Sequence, residues 1–125
     1  MLEKRFINVW AYNLETVLAE KLETVILRGI TNTRMRDFYD LHILYQLHEE
    51  TLNRENLRKA LEATAIKRGS LELMSEARGV FETIEHSQIL QQLWEVYQRK
   101  FPYAEGIMWA DIIESVQSLY FLDEK

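Results

Sequence analysis

One lysine and two aspartates have the types and spacing for chemistry. Lys21 lies seven residues after Leu14, three after Leu18 and four before Val25. Those steps place it inside an apolar helical stripe rather than opposite it. An ammonium there needs either an exit to water along its own stem or an acidic partner. Asp37 and Asp40 are three apart, so they share one helix face, which Leu41 and Leu44 continue. Arg36 precedes Asp40 by four, the spacing of a surface ion pair. Two readings follow. The three groups form a structural ion-pair network, or they belong to a phosphate or metal–nucleotide site. In such a site lysine offsets phosphate charge and carboxylates orient ligands. Asp-x-x-Asp alone has little specificity, and by itself it favours the structural reading.

Other chemistry has weaker support. The chain has no cysteine, which excludes disulfide scaffolds, zinc ribbons and thiol nucleophiles. His42, His48 and His86 lack a metal-ligand spacing; the first two are six apart and point to different faces. Serines and tyrosines are scattered without a nucleophile–base pair. Trp10, Trp94 and Trp109 have faces on which a base could stack, but aromatics at helical spacing more often fill cores. Arg28, Arg34 and Arg36 lie close together and leave room for a local anion site.

The elements that must position these residues are helical. Leu14, Val17, Leu18, Leu22, Val25 and Ile26 recur at helical spacing. With Asn13 as N-cap and Gly29 as a permissive stop, they predict a helix over 14–28. Residues 30–34 read as a loop. Further helices are expected over 35–48, 54–67 (capped by Asn53), 87–100 (stopped by Pro102) and 109–121. Their core candidates are Leu41, Leu44 and Tyr45; then Leu57, Ala60, Leu61 and Ala65; then Ile89, Leu90, Leu93, Trp94 and Tyr97; then Ile112, Ile113, Val116, Leu119 and Tyr120. Between 71 and 85 only a short helix near Ser75–Ala77 is expected, because Gly79 weakens a continuous one. Aromatic and β-branched residues over 5–12 suggest one short N-terminal strand. The expectation is an all-α, compact bundle of five to six helices with at most that one strand, in a single domain over residues 1–125.

Composition agrees. The chain of 125 residues is 47% hydrophobic, with only 4 glycines and 1 proline to break helices. That length buries one real core without metal or disulfide staples. A formal charge of −5 argues against binding nucleic acid over the whole surface. No apolar run approaches the roughly 18 residues of a membrane span, and residues 1–10 lack the apolar segment of a secretory signal. A cytoplasmic location is expected.

The segment LETVLAEKLETVILRGITNTRMRDFYDL resembles the AbiEii/AbiGii family of nucleotidyltransferase toxins, the toxin half of bacterial type IV toxin–antitoxin and abortive-infection systems. Family members carry an acidic residue six positions before a lysine on one helix, then an Arg-Asp-x-x-Asp helix after a short loop. Glu15 and Lys21 match the first pattern; Arg36, Asp37 and Asp40 match the second. Later segments, LRKALEATAIKRGS and LWEVYQRKFPYA, are similar to the family's helical C-terminal region. The resemblance implies nucleotide contacts from Glu15, Lys21 and Arg36. It implies catalytic parts for Lys21, Asp37 and Asp40, played only with an α/β core that carries a Gly-Ser turn and a magnesium-binding Asp-x-Asp. This chain contains no Gly-Ser followed by Asp-x-Asp; its single Gly-Ser, Gly69-Ser70, lies among helices.

Two functions therefore stand. One is the nucleotide-facing helical half of such a toxin, inactive alone, with no cofactor of its own. Magnesium and a nucleoside triphosphate are expected for a complete member. The other is a stand-alone helical interaction protein or toxin remnant with a structural Lys–Asp cluster. Expected partners are an antitoxin, a separate catalytic half, or a second copy docking on the apolar segment around Ile7, Val9 and Trp10.

Overall fold

The structure is a computed structural model that describes the backbone of residues 2–121 and the side chains of residues 14–121. Seven α-helices follow in order among the described residues: α1 (Leu2–Arg28), α2 (Met35–His48), α3 (Arg54–Arg68), α4 (Leu71–Met74), α5 (Ala77–Glu85), α6 (Gln88–Lys100) and α7 (Trp109–Tyr120). Short 3-10 turns at Gly29–Thr31 and Pro102–Ala104 link α1 to α2 and α6 to α7. The all-α expectation holds.

The expected N-terminal strand does not form. α1 begins at Leu2 and runs unbroken through residues 5–12 and past Asn13, which is therefore not an N-cap. A lone strand would leave its backbone donors and acceptors without a ladder, whereas a helix satisfies them within itself. The side chains of Ile7, Val9 and Trp10 lie outside the described residues, so the docking segment assigned to them does too.

The helix count is seven rather than five to six, and the difference falls at residues 71–85. Ser75 ends α4 instead of opening a helix, donating its hydroxyl to the Glu72 carbonyl at 2.6 Å. Gly79 sits inside α5, because Ala77, Phe81 and Ile84 on that helix are all buried. Burial of that face outweighs a glycine penalty of roughly 1 kcal/mol.

Packing is dominated by α1 against α3 and by α2 against α7, with α5 and α6 closing the sides. Leu18, Leu22 and Val25 from α1 meet Leu57, Leu61 and Ala65 from α3 in one continuous core. Phe38 and Leu41 from α2 join it with Ile112, Val116 and Leu119 from α7. Trp94 and Trp109 are core residues whose indole N–H groups donate to the carbonyls of Ile107 (2.8 Å) and Ile84 (3.3 Å). Neither offers a free face for a base. Ile89, a core candidate, is 68% exposed, because the buried stripe of α6 runs through Leu90 and Trp94 and Ile89 lies off it.

Caps follow the local sequence. Asn53 accepts from the Asn56 N–H at 2.9 Å and Ser87 from the Leu90 N–H at 3.2 Å, so both N-caps are side-chain capped. α3 ends in a Schellman turn. Gly69, at φ 71°, lets Ser70 donate its N–H to the Ala65 carbonyl at 2.8 Å while Gly69 donates to Ile66 at 3.2 Å.

Candidate functional site: a lysine–aspartate cluster beside a basic cleft

A tight reversal between α1 and α2 creates the site. Gly29, at φ 52°, turns the chain, and the Thr31 hydroxyl donates to the Arg28 carbonyl at 2.6 Å. Asn32 is fully buried, and its side-chain oxygen accepts from the Arg34 N–H at 3.0 Å. These short-range bonds bring the first two turns of α2 alongside the last turns of α1.

Lys21 reaches across that junction. Its Nζ donates to Asp40 Oδ2 at 3.1 Å and lies 3.7 Å from Asp37 Oδ1. The side chains of Lys21, Asp37 and Asp40 are 24%, 13% and 26% exposed, so the cluster is half-buried with one edge in water. Arg36 Nε stands 3.9 Å from the same Asp40 oxygen, on a side chain that is mostly exposed. Of the two ways to accommodate a lysine on the apolar stripe, the structure shows acidic partners. The structure brings together Lys21, Arg36, Asp37 and Asp40.

Glu15 is not among them. Its Oε2 accepts from the backbone N–H of Asn53 at 3.2 Å, steadying the start of α3. Six residues on a helix amount to about 240° of rotation, so Glu15 and Lys21 cannot share a face.

Two arrangements escaped the sequence reading. The first is Glu23, fully buried on α1. Its Oε1 accepts from Arg68 Nη1 at 2.7 Å and its Oε2 from the Ser70 hydroxyl at 2.7 Å. Gly69-Ser70 is therefore the C-cap of α3 and the partner of a buried carboxylate, not a phosphate turn. Spacing carried a signal: Glu23 follows Ala19 by four and precedes Ile26 by three, both core positions. The second is an aromatic group beside the cluster. Tyr39 packs on Tyr103 with ring centroids 4.9 Å apart, and the Tyr97 and Tyr103 hydroxyls share a 2.6 Å hydrogen bond. Burial, followed by the Tyr103 hydroxyl, pushes the Tyr97 phenol above its usual value; burial, then Tyr103 and Asp40, does the same to Tyr39. Both phenols therefore hold their protons more firmly than an exposed tyrosine does.

His42 is buried with its Nδ1 2.8 Å from the Ser115 hydroxyl, and His86 Nδ1 lies 2.9 Å from the Glu82 carbonyl. Among the described residues no three His, Cys, Asp or Glu side chains gather as a metal site.

Lys21 and Asp37 also line a cleft of about 290 Å³, together with Val17, Glu20, Thr24, Arg28, Arg34 and Arg68. A lysine clamped by two carboxylates on the wall of a cleft with three arginines is what Lys21 and the Arg-Asp-x-x-Asp segment build. The family model for the nucleotidyl transferase AbiEii toxin of type IV toxin–antitoxin systems matches residues 1–118. The chain belongs to the AbiEii family. No curated protein and no solved structure gives a significant match. Among the described residues of this AbiEii-family chain, no helix is long and apolar enough to cross a membrane.

Proposed function

We propose that this chain is the nucleotide-facing helical part of an AbiEii-type nucleotidyltransferase toxin. The observation that carries the reading is the Lys21 ammonium, 3.1 Å from Asp40 and 3.7 Å from Asp37, on the wall of the arginine-lined cleft. Lys21 contacts a nucleotide phosphate. Asp37, the more buried carboxylate, orders the site or serves as base, while Asp40 and Arg36 tune and position it. Glu15 acts at a distance, through the start of α3, rather than on the nucleotide. An antitoxin is the partner that membership of this family brings.

These residues do not fit a resident magnesium ion by themselves. Asp37 and Asp40 already face an ammonium, and no third carboxylate or imidazole joins them among the described residues. The sequence also holds no Gly-Ser followed by Asp-x-Asp. Transfer therefore needs carboxylates that these 125 residues do not supply, and the chain alone transfers no nucleotide.

The second reading, a structural cluster in an interaction protein, draws on the same distances: Lys21 is satisfied without any ligand. Titrating nucleoside triphosphates into labelled protein separates the two. Amide shifts confined to residues around Lys21, Arg36 and Asp37 are expected, and none at millimolar nucleotide would defeat the nucleotide reading. Incubation with magnesium, radiolabelled triphosphates and an acceptor RNA should leave no label. Robust labelling that disappears in Asp37→Asn would overturn the inactivity.

A further inference from the structure

Two cations in the cleft have no partner among the described residues. Arg28 ends α1 and Arg34 immediately precedes α2; both are exposed, and both line the cleft beside Lys21 and Asp37. Neither guanidinium has an acidic or hydrogen-bonding partner among the described residues. Of the two carboxylates on the cleft wall, Glu20 and Asp37, the second is engaged by Lys21.

A third guanidinium is fixed there. Arg68 Nη1 lies 2.7 Å from Glu23 Oε1 and 3.4 Å from the Thr24 hydroxyl. Glu23 has no freedom to move, since Ser70 holds its other oxygen and the residue is fully buried. One nitrogen of Arg68 is therefore committed, and the rest of a side chain that is 40% exposed is left to the cleft. Guanidinium presents five N–H donors in a planar fork that matches phosphate oxygens. Like charges drawn around one small cleft repel unless an anion joins them.

We propose that this cleft binds a polyphosphate chain, with Arg28 and Arg34 as direct contacts and Arg68 as a third. Glu23 is the positioning residue that aims Arg68. The ligand is the phosphate tail of a nucleotide or a free inorganic polyphosphate; the shared chemistry is a run of bridged phosphates. The inference rests on the nucleotide-facing reading for the source of that tail, and on the unpaired arginines for its place.

Calorimetric titration of the full chain with sodium tripolyphosphate, orthophosphate, a nucleoside monophosphate and a nucleoside triphosphate tests it. Tripolyphosphate should bind measurably better than orthophosphate or the monophosphate. Arg28→Ala and Arg34→Ala should each weaken it about tenfold, the usual loss for one charge-assisted contact. Neither should lower the melting temperature, because neither arginine has a partner to lose among the described residues. Arg68→Ala should lose both stability and affinity, and Arg68→Lys should recover the fold more fully than the affinity. Arg99→Ala, on α6 outside the cleft, is the control. Absent tripolyphosphate binding, or equal losses in the control, would overturn the proposal. Nucleotide binding that depends on Lys21 but not on Arg28 or Arg34 would sink the cleft and leave the nucleotide reading standing. Tripolyphosphate binding without any nucleotide binding would do the reverse.

Discussion

Replacing Lys21 by methionine isolates the electrostatics of the cluster. The ammonium faces Asp40 at 3.1 Å and Asp37 at 3.7 Å. At an effective dielectric of about 20, each attraction is about 5 kcal/mol before desolvation is subtracted. Exposed pairs retain about 0–1 kcal/mol of such attraction, whereas breaking a buried pair costs about 3–5 kcal/mol. All three side chains are between 13% and 26% exposed, which places this cluster between those limits. Lys21→Met should therefore cost about 2 kcal/mol, most of it from two neighbouring carboxylates left without their common cation. Methionine keeps the apolar stem, so packing on α1 is little changed. Adding Asp40→Asn should return about 1 kcal/mol, because one of the two stranded charges is gone. Urea unfolding of the wild type, both single variants and the double variant, followed by circular dichroism, gives the coupling energy directly. A coupling below about 0.3 kcal/mol would refute an energetic ion-pair network and leave the close distances without a stabilising role.

Other expectations test the surrounding scaffold. Ser70→Ala strips one buried oxygen of Glu23 of its donor and should cost about 1–3 kcal/mol in chemical denaturation; a neutral effect would mean water replaces the hydroxyl. His42 is held neutral, chiefly by burial, which lowers its folded-state pKa below the ordinary 6.5; nearby Asp111 opposes that shift only in part. Its contribution to stability is then fully present above about pH 6.5 and is lost as pH falls below that value, since the unfolded chain takes up the proton first. Melting temperatures of wild type and His42→Gln should therefore draw together between pH 7 and pH 5, and a constant gap would contradict the burial argument. Gly79→Ala should stabilise α5 by about 0.5–1 kcal/mol, because a methyl group there meets no atom within 4 Å; thermal melts would expose any loss instead.

Much of this molecule is legible along the chain. The helices of α2, α3, α6 and α7 follow from apolar spacing and from Asn53, Ser87, Gly69 and Pro102, all local signals. Local sequence failed where burial or pairing decided. At α5, a core face carried by Ala77, Phe81 and Ile84 overrode Gly79. At residues 5–12, β-prone side chains had no second strand to meet, so the backbone satisfied itself as helix.

The site divides along the same line. That Lys21 needed either an exit to water or an acidic partner followed from its place among Leu14, Leu18 and Val25. That Asp37 and Asp40 share a face was fixed by their spacing of three. A short loop then left the two helices little choice but to meet. Only the tertiary structure decided that Glu15 turns away to the start of α3, that Glu23 is buried on Arg68 and Ser70, and that Arg68 arrives beside Arg28 and Arg34. Glu23 and Arg68 are 45 residues apart. No periodicity spans that separation, because it is the docking of α1 on α3, set by the volume and shape of the core between them, that chooses which polar groups face each other.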